Sequence, residues 1–324
     1  MDSKTFAVNP LRRILIPLDG STFSAQALPY ARAISAPETA CVFLQVVPKA
    51  VPIYGLFGER LLSEEQVEHA YEEEARKGLE CARETLNQSS ANVDIVVCCG
   101  DYADEILAVA NERRADLVVM ATHGRGGLDR WIIGSVADRV ARMSTIPVML
   151  IHPRDDSPPL PSDRSINRLI VPLDGSERAA QALPFAGRIA AQLNISVLVV
   201  TVSDLPHELA VVSAYGATFS QKLHDELLAE GRSDAEKMLK RSATVLRGMG
   251  VSVSEQVLEG PVAKAIVGAA GEDDLIVMTS HGHGGIRRLL LGSVANQLIN
   301  QGNRPVVLVP VHEHDRQDAV ERNA

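Results

Sequence analysis

The chain is poor in aromatic residues, basic clusters and long apolar runs. Only 4% of its 324 residues are aromatic, so the core has to be built from Val, Ile, Leu and Ala, which suits a buried parallel sheet packed by Ala-rich helices. The formal net charge is −9 and Lys and Arg form no run, which argues against a nucleic-acid-binding face. No apolar stretch approaches the ~20 residues of a membrane span, and the start, MDSKTFAVNPLRR, lacks the apolar core of a signal peptide. We therefore expect a cytoplasmic globular protein without nucleic-acid or membrane partners.

Cysteine is scarce as well. The four cysteines, Cys41, Cys81, Cys98 and Cys99, form neither a CxxC pair nor a zinc-ligand spacing. We therefore expect reduced, buried thiols and no protein metal site.

The sequence contains the same pattern twice. RRILIPLDGSTFSAQALPYA begins at Arg12, and NRLIVPLDGSERAAQALPFA begins at Asn167. A glycine-rich stretch follows in each copy, THGRGGLDRWIIGS from Thr122 and SHGHGGIRRLLLGS from Ser280. Repeats of this length indicate a duplicated domain.

A proline-rich polar segment separates the copies, which predicts a stiff linker. We expect a first domain at 1–152, a linker at 153–165, a second domain at 166–312 and a polar tail at 313–324. Short apolar strands alternate with helical patterns in each half, which predicts an α/β fold with a parallel sheet. A helix is expected over Thr22–Ala36, bent near Pro29, because a proline inside a helix removes a hydrogen bond. The last strands, Pro147–Ile151 and Pro305–Val309, are expected to pair with each other, since each is a sheet edge.

Two loops in each half carry chemistry suited to a ligand. Ligands of open α/β sheets bind beyond the carboxyl ends of the strands, where the PLDGS loop and the glycine-rich loop are expected to face one crevice. Glycines let the backbone approach a ligand closely, and the unpaired amides at the start of the following helix attract phosphate. A carboxylate beside phosphates would repel them, so Asp19 and Asp174 fit better at the base of a mononucleotide.

The combination resembles the universal stress protein family. A strand ending in PLDGS, then His-Gly, nine residues and Gly-Ser, occurs in both halves, so the chain resembles the tandem members of that family. The resemblance implies two tandem doubly wound domains, each a five-stranded parallel sheet in order 3-2-1-4-5 with helices on both faces. It also implies ATP as the ligand, because the ATP-binding branch carries glycine, two residues, glycine, nine residues, then glycine and Ser or Thr. Whether Mg²⁺ accompanies the phosphates stays open.

The resemblance implies one set of nucleotide ligands in each half. The first set is Pro17, Asp19, Val46, Met120, Ala121, Gly124, Gly134, Ser135 and Val136. The second set is Pro172, Asp174, Val202, Met278, Thr279, Gly282, Gly292, Ser293 and Val294. In each set the Asp and the first Val lie at adenine, the next two residues lie at the ribose, and the last four hold phosphates. The first glycine of the family motif is Ala121 here and Thr279 in the second half, and the β-branched Thr279 restricts the second site more.

Simpler interpretations stay open beside this one. The glycine loops could be tight connections, the two aspartates could only cap the following helix, and His123 and His281 could only orient their loops. The sequence has neither a P-loop lysine motif nor a nucleophile–base pattern, so at most slow ATP hydrolysis is expected.

The leading hypothesis is an ATP-binding protein of the stress response that acts through its bound nucleotide and an unknown protein partner. Its halves would form an internal pseudo-dimer, and a homodimer of whole chains stays open. The alternatives are a slow ATPase or nucleotidyl-transfer enzyme, and an interaction module without ligand.

Overall fold

Strands from both halves join in a single ten-stranded sheet. The computed structural model describes residues 9–57, 59–86, 92–122, 133–153, 164–203, 221–280, 291–301 and 304–311. The first half contains β1 (Arg13–Pro17), α1 (Thr22–Ala25), α2 (Ala27–Ala33), β2 (Ala40–Val47), β3 (Ile53–Tyr54), β4 (Arg60–Leu62), α3 (Glu64–Leu86), β5 (Val93–Cys99), α4 (Tyr102–Glu112), β6 (Leu117–Ala121), α5 (Ser135–Met143) and β7 (Val148–Ile151). The second half contains β8 (Arg168–Pro172), α6 (Glu177–Ala180), α7 (Ala182–Leu193), β9 (Ser196–Ser203), α8 (Gln221–Gly248), β10 (Val253–Glu259), α9 (Val262–Ala269), β11 (Asp274–Thr279), α10 (Ser293–Gln301) and β12 (Val306–Val309).

The strand order confirms the predicted fold in both halves. The sheet runs β5-β2-β1-β6-β7 through the first half and β12-β11-β8-β9-β10 through the second. Counting only the strands of this sheet, each half has the order 3-2-1-4-5, and its neighbouring strands are parallel. The chain order therefore reverses beside β1 and β8, which places a crevice at the carboxyl end of each half.

The two halves meet through their last strands, as the sequence predicts. β7 and β12 pair in antiparallel register, with Met149 opposite Val307 and Leu150 opposite Val306. All four of these side chains are buried. The pairing turns two exposed edges into the centre of one sheet, which satisfies their backbone hydrogen-bonding groups.

Alternate residues of each strand enter two cores on opposite faces of the sheet. In β1, Ile14 and Ile16 belong to the core that also contains residues of α2, α3 and their counterparts in the second half, while Leu15 belongs to the other core, with residues of α4, α5 and their counterparts. This period-2 alternation is the pattern expected of strands covered on both faces. No helix of the described residues is long and apolar enough to cross a membrane.

The first helix of each half is divided into two consecutive helices. α1 ends at Ala25 and α2 begins at Ala27, so the break falls at Gln26, three residues before Pro29. The second half breaks at the equivalent Gln181. Pro29 therefore stands in the first turn of α2, where a missing N–H costs no hydrogen bond within the helix.

The first half also contains a short hairpin that the sequence does not predict. β3 and β4 pair in antiparallel fashion between β2 and α3. Its apolar side chains, including Ile53, Tyr54 and Leu61, are exposed. Because these side chains are exposed, the apolar pattern that identifies buried strands in the sequence did not identify this hairpin.

Two side chains of α7 reach across to the first half. Gln192 Oε1 accepts a hydrogen bond from the Leu11 N–H at 2.7 Å, and Gln192 Nε2 donates to the Ile34 carbonyl at 2.7 Å. Arg188, one helical turn earlier, donates to the Asp116 carboxylate at 2.8 Å. We call Arg188 and Gln192 the α7 clamp, and it is a second link between the halves beside the strand pairing.

Candidate functional site

The loop after β1 fixes Asp19 beyond the carboxyl end of the sheet. Asp19 Oδ1 accepts hydrogen bonds from the backbone N–H of Ser21 at 2.9 Å and from the Ser21 hydroxyl at 2.6 Å. The Ser21 oxygen in turn accepts from the Ser24 N–H at 3.1 Å and so caps α1. Gly20 has a φ of 78°, a conformation that favours glycine and lets the loop turn this sharply. Asp19 thus supports the helix cap, as one of the simpler interpretations expects, and its carboxyl group is held in one orientation.

The second half repeats this arrangement. Asp174 Oδ1 accepts from the Ser176 N–H at 3.0 Å and from the Ser176 hydroxyl at 2.6 Å. The Ser176 oxygen accepts from the Ala179 N–H at 3.0 Å, and Gly175 has a φ of 81°. The PLDGS sequence therefore encodes the same local geometry twice.

The helix that follows β6 begins at the same edge of the sheet. Gly134 is the N-cap of α5, and its N–H donates to the Thr122 carbonyl at 2.8 Å. The equivalent Gly292 donates to the Ser280 carbonyl at 2.9 Å at the start of α10. Since a glycine cap has no side chain to accept from the first turn, the first amides of α5 have no partner within their helix.

These elements surround a cavity of about 720 Å³ in the first half. It is lined by the described members of the first predicted set: Pro17, Asp19, Val46, Met120, Ala121, Gly134, Ser135 and Val136. Gly124 lies outside the described residues. The loop after β1, the ends of β2 and β6 and the start of α5 thus meet around one space, as the rule for carboxyl ends predicts.

The described members of the second set occupy equivalent places in the second half. Pro172 and Asp174 lie at the end of β8 and just after it, and Val202 lies in β9. Met278 and Thr279 end β11, and Gly292, Ser293 and Val294 stand at the start of α10. The Thr279 side chain is buried, like Ala121. Gly282 lies outside the described residues, as do His123 and His281.

The profile of the universal stress protein family matches residues 10–152 and again residues 165–310. The chain belongs to the universal stress protein family. The two matches cover nearly all of both halves, so this universal stress protein is a tandem member with two copies of the domain.

Named relatives agree with this assignment. Universal stress protein Rv1996 of Mycobacterium tuberculosis is 26% identical over 314 residues, which cover 92% of this chain and 95% of that protein. Universal stress protein Rv2005c of the same organism is 30% identical over 203 residues, 63% of this chain and 64% of that protein, just under two thirds of its length.

A solved structure agrees on the fold. The crystal structure of a universal stress protein from Archaeoglobus fulgidus has a TM-score of 0.61 and 18% identity, and the match covers 93% of this chain and 97% of that one.

The cavity of this universal stress protein also contains residues that the sequence did not single out. Tyr71, Glu74 and Ala75 of α3 line it, together with Tyr102 at the start of α4. The spacing of three and four residues places Tyr71, Glu74 and Ala75 on one face of α3. Tyr102 follows the carboxyl end of β5, so the rule that located the other loops would also have located it.

Charge around the cavity is mainly acidic in the described part of the chain. Asp19 and Glu74 line the cavity, and none of its described lining residues is Lys, Arg or His. Arg139 of α5 is engaged elsewhere, donating to Asp101 at 2.9 Å and to Asp104 at 2.6 Å. Among the described residues, no three His, Cys, Asp or Glu side chains come together as a metal site. Any anion in the cavity would therefore meet backbone amides there rather than described basic side chains.

Proposed function

We propose that this universal stress protein binds ATP and acts through its bound nucleotide rather than through fast turnover. One observation supports the proposal most: a single cavity is lined by all eight described residues of the first predicted set. Its volume lies within the roughly 300–1,000 Å³ of typical small-molecule sites. The mainly apolar strand ends would hold the base and ribose, and the start of α5 would hold the phosphates.

The phosphate end of the proposal depends on α5. The amides of Ser135, Val136 and Ala137 belong to the first turn, and all three residues line the cavity. Helix amides without an internal partner, together with the helix dipole, form an anion site. Asp138, the acidic residue of this first turn, pairs with Arg142 at 2.7 Å, which offsets its charge.

The base end depends on Asp19. A carboxylate in a cavity without described basic side chains repels phosphates but accepts readily from an exocyclic amine or a ribose hydroxyl. Its bonds to Ser21 hold it in place before a ligand arrives. Adenine carries an exocyclic amine where guanine has a carbonyl, so we expect preference for ATP over GTP.

A direct test is to denature the purified protein and to look for released adenine nucleotide by mass and absorbance. Calorimetric titration and thermal unfolding with ATP and GTP follow, each with Mg²⁺ and with EDTA. A ligand at a hundredfold excess over its Kd stabilises the folded state by about 2.7 kcal/mol, so the melting temperature should rise clearly with ATP. Equal responses to GTP would contradict the role of Asp19, and no response to ATP in any form would overturn the proposed function.

The placement of the phosphates is tested by Gly134→Glu. Gly134 has φ −63° and ψ 150°, which any residue adopts, so the change adds a carboxylate to the site without straining the backbone. We expect this variant to lose one bound nucleotide per chain. The control is Gly268→Glu in α9, where an added Cβ would meet open space. A folded Gly134→Glu protein that binds ATP as the unsubstituted protein does would refute the placement. Release of inorganic phosphate, assayed alongside, separates occupancy from turnover.

A further inference from the structure

The segment that leads into α5 is held by a residue of the other half. Ile133 directly precedes Gly134, and its N–H donates to Asn300 Oδ1 at 3.1 Å. Asn300 lies on α10 of the second half, 167 residues further along the chain. Gly134 itself donates to Thr122 of its own half. Two successive amides before the first turn of α5 are thus fixed, one by each half of the protein.

Asn300 is itself held in place. Its Nδ2 donates to Asn296 Oδ1 at 2.8 Å, one helical turn earlier on α10. Leu298 and Ile299 are buried in the core of that face, which anchors the helix on the sheet. The amide group of Asn300 therefore presents its oxygen to Ile133 from a fixed support.

The equivalent pair in the first half is chemically different. The matching segments GSVADRVARM and GSVANQLINQ place Asp138 and Arg142 where α10 has Asn296 and Asn300. Asp138 and Arg142 form an ion pair within α5. An arginine side chain has no acceptor for a backbone N–H, whereas an asparagine amide has one. Only the second-half helix therefore has at this position a side chain that can accept from a backbone amide.

We propose that Asn300 is a positioning residue for the phosphate end of the first-half site. By holding the Ile133 N–H, it fixes the path of the chain into Gly134 and the direction of the first amides of α5. This inference rests on the proposed function of the first-half cavity. Both halves then contribute to the first-half site, because α10, which begins at the second site, supports the phosphate-binding end of the first.

The test compares Asn300→Ala with the control Gln297→Ala, an exposed position on the same helix. Titrations with ATP and with adenosine, followed on the amide NMR signals of Ser135 and Val136, report the first site separately from the second. Loss of one hydrogen bond should weaken ATP binding about three- to tenfold. Adenosine has no phosphates to misplace, so its affinity should change less than about twofold, and the control should change neither affinity.

A second measurement needs no nucleotide. Hydrogen exchange of the Ile133 amide should be faster in Asn300→Ala than in the unsubstituted protein or the control. Asn300→Asp keeps an acceptor oxygen and should restore most of the protection. Unchanged ATP affinity in Asn300→Ala, or equal losses for ATP and adenosine, would overturn the inference while leaving nucleotide binding intact. If the unsubstituted protein bound no ATP, the proposed function and this inference would both fall.

Discussion

Removing Gln192, a neutral residue, should destabilise the protein more than removing the charged Arg188 beside it in the α7 clamp. The reason is the burial of the hydrogen-bonding groups that each substitution leaves without a partner. Leu11 and Ile34 are fully buried, and Gln192 bonds to the N–H of the first and the carbonyl of the second. Gln192→Ala leaves both buried groups without this hydrogen-bond partner, and an unsatisfied buried polar group costs about 1–3 kcal/mol of stability. We expect a loss of about 2–4 kcal/mol in the free energy of unfolding.

Arg188→Ala leaves fewer buried polar groups without a hydrogen-bond partner. Two of its partners are the carbonyls of Asn9 and Pro10, exposed residues whose oxygens water can reach. The third partner, Asp116, keeps hydrogen bonds from the Arg12 N–H at 2.7 Å and the Arg13 N–H at 3.0 Å. The ion pair between Arg188 and Asp116 is also about a fifth exposed on each side, so solvent and salt screen it. We expect a loss of about 1–2 kcal/mol, smaller at high salt.

Urea unfolding followed by circular dichroism measures both losses, with Gln297→Ala as a control that should stay within about 0.5 kcal/mol of the unsubstituted protein. A high-salt series separates the two variants further, because only Arg188 takes part in an ion pair that salt screens. The reasoning would be refuted if Gln192→Ala cost no more than the control, or clearly less than Arg188→Ala.

Two further predictions concern the backbone and the thiols. Gly175 has a φ of 81°, and an added Cβ would meet open space. Gly175→Ala should therefore lower the free energy of unfolding by about 1–2 kcal/mol through backbone strain alone. Gly268→Ala, the control, should be neutral or stabilising, and urea unfolding measures both. Equal stability of these two variants would contradict the strain argument. Burial, together with the nearby Glu105 and Cys99, raises the pKa of the Cys98 thiol from 9.0 to about 11. Exposed Cys81 should therefore react with a thiol reagent at pH 8 before Cys98 does, and peptide mass spectrometry would show the order. The stability that comes from keeping Cys98 protonated is present below pH 9 and is lost as the pH rises towards 11, and Cys98→Ala should remove this part of the alkaline decline.

Features with a local cause were predictable from the sequence. The strands, the serine caps and the loop geometry at Asp19 and Asp174 follow from residues close together in the chain. The pairing of β7 with β12 followed from a general need, since an exposed edge gains from a partner. Pro29 indicates a disturbance of the first helix, but its position at Gln26 was not predictable, because the sequence does not show that a new helix begins at Ala27.

The crevice was predictable because the carboxyl ends of parallel strands meet at one edge, and that rule brought the loops of Asp19 and Ser135 together. The side-chain hydrogen bonds between the two halves were not predictable. Gln192 and Leu11 are 181 residues apart, and Asn300 and Ile133 are 167 apart, with no local pattern to connect them. The hairpin of β3 and β4 was also not predictable, since its apolar side chains are exposed and do not follow a pattern of burial.

The duplicated chain can do what a symmetric dimer of identical chains cannot. In such a dimer every contact across the two-fold axis occurs twice with the same residues. Here the halves differ at equivalent positions: Asp116 accepts from Arg188 of the other half, whereas the matching Asp274 pairs with Arg168 of its own half. At another pair of matching positions, Asn300 accepts from Ile133 of the other half, whereas Arg142 pairs with Asp138 of its own helix. Because each contact can be specialised separately, the second half can support the cavity of the first without an identical contribution in return. If that asymmetry serves binding, the two sites should differ in ATP affinity, and Asn300→Ala should bring the first closer to the second.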